Sequence, residues 1–515
     1  MTQNNVTDSS VNNKRIAKNT LFLYFRMIII MLVTLYTSRV ILRTLGVEDY
    51  GIYNVVGGIA TFLNFICGSL NVATQRFITF EIGKGYCGNI SKVFSTSIQL
   101  HIILALIIAI IAEPIGVWFI LNKLVIPEEK ISSALWVFHF SILTMIVVFI
   151  SVPYNSLIVA YEKMNIFALV SIIEALLKLG VAGLIVFYNS SEKLILYGLS
   201  IFVVQLIIRA CYACYCNKNL PKCKYVRCWD WFLTKEMMSL ASWSIFGNLT
   251  FMLYTQGLNV LLGMFFMPFV NAARGIAVQV QSAINSFVQN FQTALNPQIT
   301  KSYAAGELGE MHSLIFRSSR LSFYLLMIFS VPILLQTSTL LSLWLNTVPT
   351  YTISFTIIMV LTTWITSVAN PLEVAVKATG NIKKYESLIG GIMILILPIS
   401  FLCLKLGCKP IAVFFVHLIA ECIAMIFRIY ISHNLIKFSY KSYVRFVLKP
   451  IMQTLLLAII IPTVISVQMA SSILSVIVVT LISGFCSVAS IYCVGLTNGE
   501  KIFFNNKIRT IIKNN

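Results

Sequence analysis

Asn54, Gly57, Thr61, Asn64, Gly68, Asn71 and Gln75 recur at intervals of 3, 4, 3, 4, 3 and 4 residues, which puts them on one face of an α-helix. The opposite face is apolar. Ser282, Asn285, Gln289, Gln292 and Asn296 lie 221 residues beyond Thr61, Asn64, Gly68, Asn71 and Gln75, so a second helix repeats the pattern. Amides and hydroxyls offer donors and acceptors together, the mixture that water or a hydroxyl-rich ligand requires. Packing is the plain alternative, because such side chains also hydrogen-bond across helix–helix contacts. Two matching faces, with Gln279, Gln281, Ser286, Asn290 and Thr293 added to the second, exceed what packing needs and predict a hydrated cavity.

Charge within apolar runs adds a second chemistry, and it leans cationic: Arg26, Arg39, Lys178 and Arg209, with Arg76 and Arg274 near helix ends. An arginine fork matches phosphate oxygens. For Arg39, Arg76, Arg209 and Arg274 the competing role is snorkelling to a headgroup layer; Arg26 lies further inside. Glu174 and Lys178 stand four apart in the favourable order and are expected to satisfy each other. Glu373 and Lys377 repeat that spacing, and His417 and Glu421 share a face. Glu174, Lys178, Glu373 and Glu421 are therefore the candidates for coupling to H+ or Na+. His101 and His139 stand alone and are expected to be core residues.

Catalysis finds no support. There is no GxxxxGK[ST] phosphate loop, no H-E-x-x-H, no G-x-S-x-G and no loop carrying paired carboxylates. Cys211, Cys214, Cys216, Cys223 and Cys228 cluster, but without repeated C-x2-C spacing, so neither a metal nor another cofactor is expected.

The elements that position these residues are legible from composition. The 515 residues are 58% hydrophobic and 11% charged, with mean hydropathy +0.87, which excludes a soluble protein. Apolar runs of about 20 residues predict spans near 20–42, 50–73, 94–121, 132–153, 166–188, 194–215, 239–264, 275–296, 316–342, 351–376, 385–406, 410–433, 447–467 and 472–495. The first has internal arginines and no A-x-A site, so it reads as a retained helix. The net charge of +20 falls mainly on alternate connections, which points to a membrane face, not to nucleic acid, and puts both termini in the cytoplasm.

The chain also repeats itself. Pro114 and Pro153 recur as Pro332 and Pro371, and Leu35-Tyr-Thr37 as Leu253-Tyr-Thr255, all shifted by 218. Phe77-Ile-Thr79 with Gly85 and Gly88 recurs as Gln298-Ile-Thr300 with Gly306 and Gly309, shifted by 221. Two lobes of six spans, each beginning on the same side, make a parallel repeat. The expected organisation is an N-lobe over 1–215, a cytoplasmic linker over 216–238, a C-lobe over 239–436, and two added helices with a tail over 437–515. Helices one, two, seven and eight would line the passage, with Tyr36, Arg39, Asn248 and Tyr254 joining the amide faces.

Leu45-Gly-Val-Glu-Asp-Tyr-Gly-Ile-Tyr53, followed by a glycine-bearing second helix and Ala73-Thr-Gln-Arg-Phe77, resembles the Wzx-type polysaccharide flippases. These belong to the MOP superfamily with the MATE drug exporters and the MurJ lipid II flippases. The resemblance implies an all-α polytopic fold of about fourteen transmembrane helices, two parallel six-helix lobes and two extra helices. It implies alternating access that carries an undecaprenyl-diphosphate-linked oligosaccharide, of O-antigen, capsule or exopolysaccharide type, across the bacterial inner membrane. Cations on the first, second and eighth helices would hold the diphosphate, here Arg26, Arg76 and Arg274. The implied partners are the lipid-linked oligosaccharide, the bilayer, and a polysaccharide polymerase with its chain-length regulator. The rival reading is a MATE-type cation-coupled multidrug antiporter, which would want a carboxylate in helix one or seven; neither predicted span has one. A membrane polymerase or glycosyltransferase would lack the duplication, and a fixed channel would not need paired, proline-marked lobes.

Overall fold

The structure is a computed structural model that describes residues 18–505 apart from 35, 38–39, 42, 47–48, 50–51, 54–55, 57–63, 86–88, 123, 125, 189–191, 221–224, 228, 267, 346–347, 471 and 503–504. Its regular structure is helical, the form that lets each backbone amide find a partner within its own segment in lipid. In chain order the helices are α1 (residues 18–34), α2 (Asn64–Gly83), α3 (Ile90–Asn122), α4 (Glu128–Ala160), α5 (Met164–Phe187), α6 (Lys193–Asn219), α7 (Trp231–Phe265), α8 (Pro268–Ala304), α9 (Leu308–Leu335), α10 (Thr337–Trp344), α11 (Thr352–Thr379), α12 (Lys383–Lys405), α13 (Ile411–Ile436), α14 (Tyr440–Gln468) and α15 (Ile473–Gly495).

Among the described residues ten helices are long and apolar enough to cross a membrane: α3 to α6, α9 and α11 to α15. The chain is a multi-pass membrane protein. At 20, 35 and 37 residues α2, α7 and α8 have the length but not the apolarity. Their amides and hydroxyls lower it. All fourteen expected spans meet a helix, although residues 57–63 of span two lie outside the described residues and several helices, among them α4, α7 and α8, run well beyond the expected bounds. The helix meeting span two runs on to Gly83, because Arg76 and Glu81 end the apolar run without breaking the helix. Span nine breaks at Gln336, whose amide donates to Ser466 Oγ (3.1 Å) and accepts from Thr339 Oγ1 (3.0 Å). Local side-chain bonding of this kind competes with helix continuation.

The chain divides into two compact units, the first ending at Asn248 and the second beginning at Leu249, within α7. In the first, α4 packs on α2, α3 and α6, and α5 on α6; in the second, α11 packs on α8, α9 and α13, and α12 on α13. The same packing scheme appears twice. Pro114 and Pro153 sit inside α3 and α4, and Pro332 and Pro371 inside the matching α9 and α11. Gly85 and Gly306 follow the two matching helices α2 and α8 with φ of 64° and 79°. That left-handed conformation costs a side-chain-bearing residue free energy and explains why glycine recurs there.

The added pair, α14 and α15, packs together and onto α9. Arg320 of α9 donates to both oxygens of Glu500 (2.8 and 2.7 Å) and to the Phe446 carbonyl (3.1 Å), while Arg317 Nε lies 3.4 Å from the same carboxylate. The Tyr324 hydroxyl donates to the Gly495 carbonyl (3.3 Å), and a Cβ at 495 would meet that ring at 2.9 Å.

Candidate functional site

In the first unit α1, α5 and α6 enclose a cavity of about 360 Å³ lined by Arg26, Thr34, Thr37, Tyr53, Ser171, Glu174, Lys178, Tyr197 and apolar neighbours. The helical period brings these residues together. Glu174 and Lys178 are one turn apart on α5, and the Lys178 ammonium lies 2.6 Å from the carboxylate. Gln205 of α6 donates to the same oxygen at 2.9 Å. Their charges cancel. Arg26 sits with its guanidinium over the Phe167 ring, 4.5 Å from the centroid, and its Nε is buried without a hydrogen-bond partner. Among the described residues Arg26 makes no ion pair, so the wall carries one uncompensated positive charge beside hydroxyls and phenols.

Arg76 lies over Phe77 and Phe80, 4.6 and 4.7 Å from the ring centroids. Arg274, in the second unit, is 5% exposed: its guanidinium donates to the Thr255 carbonyl at 2.8 Å and to the Asn259 amide oxygen, both on α7. The two terminal nitrogens of its fork are thus occupied by α7, while its Nε is buried without a hydrogen-bond partner. Arg39, Thr61 and the side chain of Asn64 lie outside the described residues.

The amide faces of α2 and α8 divide between two roles. Ser282 and Gln289 are exposed, and Asn285 and Asn296 half-buried, with Asn296 Oδ1 lacking a partner. Gln292 corrects its expected place on a wet face, being 4% exposed with its amide fully engaged. It donates to Ser322 Oγ and to the Ser367 carbonyl, and accepts from Asn370 Nδ2, each at 3.0 Å. The physical reason lies in Pro371: a proline has no N–H, so the carbonyl four residues earlier, Ser367, loses its helical donor. Gln292 supplies one from α8. In the first unit the equivalent Asn71 likewise reaches the proline-bearing helix, accepting from Ser156 Oγ of α4 at 2.6 Å. Gln75 is half-buried. Asn248, exposed in part, donates to Ser69 Oγ at 2.7 Å. Tyr36 is 61% exposed and Tyr254 buried.

The second unit also holds buried ionisable groups. Glu421 accepts from Arg428 at 2.7 Å, with His417 Nε2 at 4.0 Å and the Tyr254 ring 5.2 Å from the imidazole. Glu373 is paired with Lys377. Glu373, which is half-buried, and Glu421 thus each have a cation of their own. Arg428 and Gln205 escape the sequence reading because their partners lie on other turns or helices. Only Pro371 left a readable trace, a carbonyl needing a donor from outside its helix. His101 is buried with Nδ1 2.7 Å from the Ser97 carbonyl, whereas His139 is not isolated but paired with Glu113 of α3. Among the described residues no three potential ligands are grouped to hold a metal.

No family model matches the sequence, and no curated protein matches it. Solved structures do. A MATE protein crystallised in the bent conformation aligns with TM-score 0.72 at 12% identity, covering 84% of this chain and 97% of its own. A MOP superfamily transporter from Pyrococcus furiosus, whose binding pocket of reverse polarity suggests a different function, aligns with TM-score 0.68 at 12% identity over 83% and 96%. The MATE transporter ClbM in complex with Rb+ aligns with TM-score 0.66 at 16% identity over 83% and 96%. This chain has the fold of MATE-type transporters of the MOP superfamily.

Proposed function

We propose that the protein is a flippase that carries an undecaprenyl-diphosphate-linked oligosaccharide across the bacterial inner membrane by alternating access. The observation that carries this reading is Arg26, an arginine without an ion-pair partner among the described residues, on the wall of a cavity that mixes polar and apolar side chains. A buried cation without a counter-charge is costly, and a diphosphate would supply the charge and the bidentate acceptors together. The cavity is at the small end of the range of roughly 300–1,000 Å³ for ligand pockets, a size that suits an anionic headgroup. The polymerase and chain-length regulator would act on the product.

The competing reading, a cation-coupled drug antiporter, is favoured by two acids of the second unit, Glu373, half-buried, and Glu421, buried. Both are already neutralised, by Lys377 and Arg428, which leaves neither free for a cationic drug. The same acids would serve H+ or Na+ coupling if their pairs opened. A deletion strain tests the proposal. Lipid-linked oligosaccharide should accumulate and surface polysaccharide should disappear, and both should be restored by the wild type and by Arg26→Lys in part, but not by Arg26→Ala at equal membrane abundance. Full restoration by Arg26→Ala removes Arg26 from the mechanism; normal surface polysaccharide in the deletion strain refutes the flippase.

A further inference from the structure

Lys178 shares the cavity of the first unit with Arg26. Its ammonium lies 2.6 Å from a Glu174 oxygen that also accepts from Gln205 Nε2 of α6 at 2.9 Å. The carboxylate is therefore pinned from two helices, and it in turn pins the lysine. Among the described residues Glu174 is the one partner of Lys178, and an ammonium has three N–H donors, so two are left over. The Lys178 side chain is 40% exposed and stands on the cavity wall, within reach of an occupant. We propose that Lys178 is a second phosphate ligand, which with Arg26 makes the cavity choose a diphosphate over a single phosphate. This role rests on the flippase reading and names the feature of the headgroup that the site selects.

Charge and geometry point the same way. Arg26 stands on α1 and Lys178 on α5, so an occupant of a hollow of about 360 Å³ meets two cations from two helices. One phosphate satisfies the guanidinium of Arg26 through a charge-assisted contact. A second phosphate on the same headgroup gives the ammonium an acceptor of its own. Thr34, exposed on the same wall, adds a hydroxyl donor. Glu174 serves this arrangement as a positioning residue. It offsets the charge of the ammonium and holds its long stem in one place, so that less rotamer freedom is lost when a phosphate binds. Arg26 and Lys178 set against Glu174 leave the wall with one net positive charge, which attracts an anion without fixing how many phosphates it carries. The count is read by contact, one cation to each phosphate.

The test is native mass spectrometry of the purified full-length chain, incubated with equimolar undecaprenyl diphosphate and undecaprenyl monophosphate esters of one sugar. The wild type should retain the diphosphate ester about tenfold more, the ratio expected for one further charge-assisted hydrogen bond. Contact is separated from mere field by combining Glu174→Gln with Lys178→Gln, which removes the ammonium and leaves the net charge of the wall unchanged. In that double variant the preference should fall about tenfold, whereas Lys178→Arg, which keeps charge and donors, should retain it. Arg26→Ala should weaken retention of both esters. A wild type without the preference, a double variant that keeps it, or its loss in Lys178→Arg overturns the role of Lys178, while retention that still depends on Arg26 leaves the flippase reading standing. Retention of both esters undiminished in Arg26→Ala overturns that reading and the role of Lys178 with it. Monodisperse elution of every variant verifies that it folds.

Discussion

Gln292→Leu isolates what the amide face of α8 contributes to stability. The leucine has similar volume but forfeits three hydrogen bonds, to Ser322, Ser367 and Asn370. Side-chain bonds between membrane helices average about 0.6 kcal/mol, so their loss accounts for about 2 kcal/mol. Leaving the Asn370 amide and the Ser367 carbonyl unsatisfied adds at least 1 kcal/mol. A total near 3 kcal/mol shifts the unfolding equilibrium roughly 100-fold. The assay is reversible denaturant unfolding in detergent, followed by tryptophan fluorescence. Gln289→Leu, one turn earlier and exposed, is the control and should lie within about 0.5 kcal/mol of wild type. A second arm exploits the proline. In Pro371→Ala the restored amide can return to the Ser367 carbonyl, and Gln292→Leu should then cost about 1 kcal/mol less. Equal stability of Gln292→Leu and wild type, or an undiminished cost in the alanine background, would refute the account of Gln292 as donor to the proline-freed carbonyl.

Other outcomes follow from contacts of the same kind. Glu500→Gln leaves Arg320 and Arg317 without their carboxylate and should cost about 3 kcal/mol in the same unfolding assay, with proteolysis near residue 496 accelerated. Gly495→Ala pushes a methyl group to 2.9 Å from the Tyr324 ring and should cost about 1–3 kcal/mol; Tyr324→Leu should relieve it. The hydrogen bond from Lys92 holds Asp230 below the usual carboxylate range. This contact therefore contributes above the unfolded aspartate value of about 3.9 and is lost as pH falls through the lower folded value. Protease cleavage of the α6–α7 segment should rise on acidification below about pH 4, and Asp230→Asn should show that susceptibility already at neutral pH.

Much of this architecture was legible because lipid imposes simple rules. The spans announced themselves as apolar runs, and the duplication as shifted prolines and glycines that occupy matching helices and turns. The polar face of α8 was legible as a face, but the division within it was not. Gln289 and Gln292 are identical side chains three residues apart, and only the packing of α9 and α11 engages one and leaves the other in the open. Arg274 illustrates the same limit: proximity to a helix end suggested an available cation, whereas α7 folds back and fills its fork through Thr255 and Asn259. Spacing along one helix says nothing of what the next helix presents. The break at Gln336 was hidden because the surrounding run stays apolar and the interruption comes from Ser466, far along the chain.

The clasp between Arg320 and Glu500 has a temporal side. The two residues stand 180 positions apart, and translation at about 5–20 residues per second separates their synthesis by roughly 10–35 s. For that interval a nascent helix carries two guanidiniums into the insertion machinery with their eventual counter-ion still unmade. The second unit therefore receives the carboxylate of this clasp only after all its spans have been made, so that the contact closes last.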